Sequence, residues 1–150
     1  MKEAVVVTHP ANEPTFLPLT VASAGTAARS LVDPPVRASA RVVQRKAEAA
    51  NMAAADCWTA LLAGCDTPGR RALPGRLREL SEATSVYAGT EWWFGQGSNH
   101  RRRVAGAQVR IEEAVRSGDG AQFAEAFIGY DQAVATAVVR IQSRLGSPAL

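Results

Sequence analysis

The residues best suited to binding or chemistry lie together in residues 91–103, which read EWWFGQGSNHRRR. Aromatic side chains, two glycines and a histidine precede three consecutive arginines, and these arginines open a segment with helical periodicity. The dipole of a helix already places positive potential at its N-terminus, so cations are disfavoured there. We therefore expect either a nearby carboxylate or an anionic ligand to offset the three arginines.

The glycines lead into a helix N-terminus, where free backbone N–H groups can bind an anion. A dinucleotide-binding turn would also need a third glycine and a preceding strand, and the segment has neither. The candidate contacts to an anion or a nucleic acid are Ser98, Asn99, His100, Arg101, Arg102 and Arg103, together with Arg70 and Arg71. The structural alternative is a glycine linker in which Ser98 or Asn99 caps the helix and the arginines pair with Glu91 or face solvent.

Three successive aromatic residues, Trp92, Trp93 and Phe94, form a second candidate contact. They could stack on bases or on a ligand, contact a partner protein, or fold over the end of the helices as a plug. Successive residues of a helix point about 100° apart, so both tryptophans cannot face one core. We expect at least one of them to lie near the surface, at an interface or across the bundle end.

Positive charge is concentrated in the middle of the chain. The net charge is +3, yet residues 67–103 hold seven arginines against three glutamates, and the rest of the chain is slightly acidic. This asymmetry indicates either an anionic partner for the basic segment 70–103 or a solvated face. Arginine greatly outnumbers lysine, which favours a GC-rich genome and a bacterial source and weakens arguments from arginine alone.

Residue spacing argues against several kinds of site. Cys57 and Cys65 would lie about 12 Å apart along a helix, too far for a disulfide, so we expect both to be reduced and buried in a cytoplasmic protein. His9 and His100 have no partners at metal-ligand spacing, and we predict no metal and no cofactor. No apolar run approaches the roughly 20 residues that span a bilayer, so we expect no membrane partner.

Helical periodicity dominates the sequence, and no alternation typical of strands occurs in residues 33–145. We predict an all-α fold: a bundle of about four helices, with a short N-terminal fifth helix over residues 18–31. The four main helices are expected near residues 34–65, 73–90, 99–116 and 120–145. Residues 1–32 are interpreted as an N-terminal extension that is partly ordered at most, and residues 33–150 as the helical-bundle domain.

Details of three helices follow from single residues. In the short helix, Leu19, Ala22, Ala27 and Leu31 should face inward. In the last helix, Asp119 and Gln122 resemble a capping box, whereas Asp131 and Glu125 lie off the apolar stripe and should face solvent. The first long helix would extend about 48 Å, so we expect it either to bend or to pack against another subunit.

The sequence favours a non-catalytic interaction or scaffold protein that self-associates or binds a protein partner. The long alanine-rich helix and the surplus aromatic residues support this hypothesis. One alternative is a nucleic-acid-binding protein that uses the basic segment 70–103, with arginines on phosphates and tryptophans stacked on bases. The other alternative is a small helical enzyme or ligand-binding bundle for an anionic metabolite, although no nucleophile–base pair or phosphate loop supports catalysis.

Overall fold

The computed structural model describes residues 15–146, which form six helices and no strand. The helices are α1 (Pro18–Ser30), α2 (Pro34–Ala63), α3 (Pro68–Ala88), α4 (Thr90–Phe94), α5 (Ser98–Ser117) and α6 (Gly120–Gly146). The predicted all-α bundle is confirmed, including the short N-terminal helix. Helix α4, a single turn that carries the aromatic cluster, was not expected as a separate element.

Two helical hairpins form the body of the bundle. Helix α2 packs along α3, and α5 packs along α6. Left-handed glycines, Gly64 and Gly118, end α2 and α5 and let the chain reverse. The buried stripe of α2 consists mainly of alanines, whose small side chains let the neighbouring helices approach closely. The short connection between α5 and α6 makes these two helices antiparallel.

Helix α1 fills the cleft between α2 and α6. Phe16 packs edge-on against Phe123 and Phe127 of α6, and Leu17 is fully buried. Of the residues predicted to face inward, Ala27 and Leu31 are buried, but Leu19 and Ala22 are exposed. The prediction was wrong for these two because the inward stripe of α1 runs through Thr20, Ala24, Ala27 and Ala28 instead.

A buried polar network holds the start of α1. Both carboxylate oxygens of Asp131 accept backbone N–H groups, from Leu19 at 3.0 Å and from Thr20 at 2.8 Å. The amide oxygen of Asn51 in α2 accepts from Phe16 and Leu17 at 2.7 and 3.0 Å. The expectation that Asp131 faces solvent was therefore wrong: its charge offsets the helix dipole of α1 and satisfies free N–H groups.

Helix α3 begins five residues earlier than predicted. The Thr67 hydroxyl accepts from the backbone N–H of Arg70, and Pro68 occupies the first turn. Asp56 of α2 adds a second acceptor for the backbone N–H of Gly69 at 2.7 Å. With two caps in place, the helix starts at Pro68 and continues through Pro74.

The two cysteines occupy different environments. Cys57 is buried in α2, and burial raises the pKa of its thiol to about 11. Cys65 is exposed just beyond the helix end, so the expectation that both are buried was wrong for Cys65. Its backbone N–H donates to the carbonyl of Ala60 as part of the helix-ending turn. The buried stripe of α2 thus ends at Leu61, four residues before Cys65.

Candidate interaction surface

The aromatic cluster in α4 points in three directions. Trp93 is buried in the core at 3% exposure, Trp92 is half-buried, and Phe94 is 59% exposed. The guanidinium of Arg101 lies over the Phe94 ring at 4.9 Å from its centroid. The cluster therefore closes one end of the bundle through Trp93 and leaves Phe94 available at the surface.

Trp92 is held by contacts from three segments. Its indole lies against Gly97 so closely that a Cβ there would come within 2.5 Å of the ring. His100 stacks on it at 6.0 Å between centroids and 24° between planes. The guanidinium of Arg144 in α6 lies 4.7 Å from the ring centroid, and Arg144 also donates to the carbonyl of Ala88. Trp92 therefore joins α4, α5 and the end of α6.

The N-terminus of α5 has no side-chain cap. Gly97 occupies the capping position, and the Ser98 hydroxyl donates backwards to the carbonyls of Phe94 and Gly95. The expectation that Ser98 or Asn99 caps the helix was therefore wrong. Across residues 15–146, no carboxylate forms an ion pair with Arg101, Arg102 or Arg103. Glu91, the acidic partner that the sequence offered, makes no such pair.

Two further arginines join this end of the bundle from α6. Burial lowers the pKa of His100 below its ordinary value of 6.5, and the nearby charges of Arg103 and Arg140 lower it further. Arg102, Arg103 and Arg140 are exposed, and Arg144 contacts Trp92. We call these four arginines and His100 the cationic end. Arg140 and Arg144 were not among the predicted contact residues. Because α5 and α6 are antiparallel, the end of α6 that carries them lies beside the start of α5.

Arg70 and Arg71 lie at the opposite end of the bundle. Arg70 donates to the carbonyl of Cys65 at 3.0 Å and to that of Val115 at 3.3 Å. Arg71 pairs with Asp66 at 2.7 Å. Val115 is about 20 Å along α5 from Arg102. The basic segment 70–103 is therefore continuous in sequence but divided in space, and Arg70 caps one carbonyl near the C-terminus of α5, that of Val115.

An open groove runs between α3 and α5. The two helices are antiparallel, and the structure lacks between them the close backbone packing that each has with its hairpin partner. One cavity of about 310 Å³ is lined by Leu73, Leu77, Ile111 and Val115. A second, of about 480 Å³, continues along the same helices past Val86, Trp93, Phe94 and Val104. The linings of the two cavities adjoin on α3 at Leu77 and Arg78, and we call the two depressions together the α3–α5 groove.

The charged residues along the α3–α5 groove are mostly basic. Its lining includes four arginines, at positions 70, 78, 101 and 116, and two glutamates, at positions 82 and 112. Glu112 accepts from the side chain of Gln108 at 3.2 Å. The Nε atom of Arg101 is buried and has no hydrogen-bond partner among the described residues. The groove therefore combines an apolar floor with a cationic rim.

Comparison of the chain with protein-family models, with curated proteins and with solved structures gave no match. Between residues 15 and 146, no group of three or more His, Cys, Asp or Glu side chains is placed to hold a metal ion. None of the helices in that range is long and apolar enough to cross a membrane.

Proposed function

We propose that the protein is a non-catalytic interaction protein that binds a protein partner in the α3–α5 groove. The observation that carries this proposal is an apolar groove along two helices, with Phe94 and Val86 exposed beside it at 59% and 67%. Exposed apolar surface of this kind, rimmed by polar residues, is typical of protein interaction sites. The buried Trp93 and the cap from Arg70 fix the two helices that border the groove.

Site-specific photocrosslinking in the source cells tests this function. A photoreactive residue at position 86 or 94 should give discrete adducts larger than the protein itself, because a bound partner would lie against both positions. Position 139 is the matched control, since Val139 is 54% exposed on α6 and does not line the groove. Adducts of equal yield from position 139, or none from positions 86 and 94, would contradict the proposal.

A second function, binding of nucleic acid at the cationic end, is favoured by a separate observation. Arginines from α5 and α6 converge there with His100 and the half-buried Trp92, and no described carboxylate neutralises them. Arginine contacts to phosphates would release counterions, so affinity should fall steeply with salt. In this proposal Arg70 and Arg71 make no contact with the nucleic acid, because they lie at the other end of α5.

A titration with a generic DNA duplex at low and moderate salt tests the second function through tryptophan fluorescence. If Arg102, Arg103 and Arg140 contact phosphates, replacing all three by alanine should weaken binding on every sequence and flatten the salt dependence. Replacing Arg41 and Arg45, which are exposed on α2, is the control. Unchanged affinity in the triple variant would remove this candidate.

The proposed location is the cytoplasm of a bacterium. The two unpaired cysteines support a reducing compartment, and the arginine-rich composition supports the bacterial source. The remaining alternative, a small enzyme or a binder of an anionic metabolite, stays a prediction. Its natural position would be the part of the groove beside Arg101, where an anion would compete with the protein partner proposed above.

A further inference from the structure

We infer that the α3–α5 groove receives an amphipathic helix with acidic flanks, supplied by a partner protein. This inference rests on the proposed function and names the element that the partner presents. It is carried by three properties of the groove: its resemblance to a cleft that a helix of this chain already fills, its length, and its charge.

The fold itself provides the precedent for a helix as occupant. On one side of the bundle, α1 lies in the cleft between α2 and α6 and contacts both helices. On the other side, α3 and α5 border a cleft that no described helix occupies. Both clefts lie between the same two hairpins. A helix is therefore the element whose shape matches the open cleft, with apolar residues at i, i+3, i+4 and i+7 facing the floor.

The length of the groove fits a helix of several turns. Its lining on α3 extends from Arg70 to Val86. At a rise of 1.5 Å per residue, this stretch is about 24 Å long and matches a partner helix of about 16 residues. Helix α1, which fills the opposite cleft, has 13 residues.

Charge selects an acidic partner over a second copy of this chain. The four arginines and two glutamates that line the groove give it an excess of positive charge. Two copies joined through this face would leave half of the arginines without an acidic partner and close to like charges, which is unfavourable. Glutamates or aspartates on the flanks of a partner helix would instead meet Arg78 and Arg116, both of which are exposed.

Designed peptides test this inference with the whole protein. The probe is a helical peptide of about 16 residues with a leucine stripe and glutamates on both flanks. One control peptide carries lysines in place of the glutamates, and a second has the same composition with the leucines moved off the stripe. The inference predicts that the acidic striped peptide binds at least about tenfold more tightly than either control, a difference of about 1.4 kcal/mol.

Protein variants locate the binding. Val86→Ser combined with Phe94→Ser should weaken binding of the acidic peptide about tenfold, because both side chains border the groove. Ile128→Ser combined with Val139→Ser is the matched control on α6, and circular dichroism verifies folding of both variants. Arg78→Gln with Arg116→Gln should weaken binding about fivefold, whereas Arg41→Gln with Arg45→Gln should not.

Three results would overturn the inference: no binding of the acidic peptide, equal binding of the control peptides, or equal loss of binding in the α6 control variant. Failure of the peptides together with partner adducts at positions 86 and 94 would refute the acidic helix alone and leave the groove as the partner site. If positions 86 and 94 also gave no adducts, the groove itself would be refuted as the partner site. Adducts made only of two copies of this chain would also refute the acidic partner.

Discussion

The two clefts between the hairpins differ in what fills them. The cleft between α2 and α6 holds α1, whose inward alanines are buried and whose N-terminal segment donates backbone N–H groups to Asp131 and Asn51. The groove between α3 and α5 also has an apolar floor, formed by buried side chains such as Leu77 and Ile111, yet no described helix occupies it. One cleft is closed by a helix of this chain, and the other is open. We therefore locate the proposed partner site in the open cleft.

The starts of α1 and α5 show the same contrast in electrostatics. The N-terminus of α1 meets a buried carboxylate, as the dipole requires. The N-terminus of α5 meets His100 and three arginines without a described carboxylate. At the start of α1, Asp131 of the neighbouring helix α6 supplies the negative charge that stabilises the helix. At the start of α5, Arg102 and Arg103 remain exposed at the surface.

The largest expected effect comes from breaking the closed cleft. Asp131→Ala leaves the buried N–H of Thr20 and the partly buried N–H of Leu19 without their acceptor, so the free energy of unfolding should fall by about 2–3 kcal/mol. Glu125→Ala, on the exposed face of the same helix, should change it by less than about 0.5 kcal/mol. Urea denaturation measures both. A loss below about 1 kcal/mol for Asp131→Ala would mean that the network does not hold α1.

The same substitution in each cleft gives the next effect. Ala27→Leu adds volume to the filled cleft and should lower the free energy of unfolding by about 2 kcal/mol, because the core cannot expand without strain. Ala105→Leu adds the same volume beside the open groove and should change it by less than about 0.5 kcal/mol. Thermal and urea denaturation provide the comparison. Equal losses for the two variants would show that the groove is closed in solution.

The close packing of Trp92 against Gly97 predicts a smaller effect. Gly97→Ala would place a Cβ within 2.5 Å of the indole, so we expect a loss of about 1–2 kcal/mol in the free energy of unfolding. Gly106→Ala is the control, because nothing lies within 4 Å of its Cβ position. It should stabilise the helix by up to about 1 kcal/mol. Stabilisation by both substitutions would contradict the close packing of Trp92.

The smallest effect concerns His100. Its pKa is lowered in the folded state, so the unfolded chain takes up the proton first as pH falls below the ordinary value of 6.5. Stability should therefore decrease over that range, and His100→Gln should remove this contribution. An NMR titration should give a pKa below 6.5, which rises in Arg140→Gln because a nearby positive charge is lost. If Arg140→Gln left the pKa of His100 unchanged, Arg140 would not lie close enough to His100 to belong to the cationic end.

Periodicity along the chain predicts the helices well, but it does not specify which residues from distant helices meet. The last two helices were placed within one residue, since their stripes and the left-handed Gly118 define them locally. The burial of Asp131 was missed because its partners are the backbone N–H groups of Leu19 and Thr20, more than one hundred residues earlier. The start of α3 was missed because Asp56 supplies a cap from another helix.

The candidate site follows the same division between local and distant contacts. The sequence places Trp92, His100 and the three arginines in one segment, and the structure keeps them close together. The sequence could not show that Arg70 donates to the carbonyl of Val115 in α5. Nor could it show that Arg140 and Arg144 lie at the same end of the bundle as His100. The α3–α5 groove has no local signature, because its lining residues alternate between two helices and resemble ordinary core positions.

The most direct test of the open groove is an amide chemical-shift map of the whole protein with the acidic helical peptide. If the peptide binds in the groove, shifts should concentrate on groove residues of α3, α4 and α5, including Leu77, Val86, Phe94 and Val115. Residues of α1 in the filled cleft, such as Ala24 and Ala27, should remain unchanged. Shifts confined to Arg102, Arg103 and Arg140 would assign binding to charge attraction at the cationic end and contradict binding in the groove.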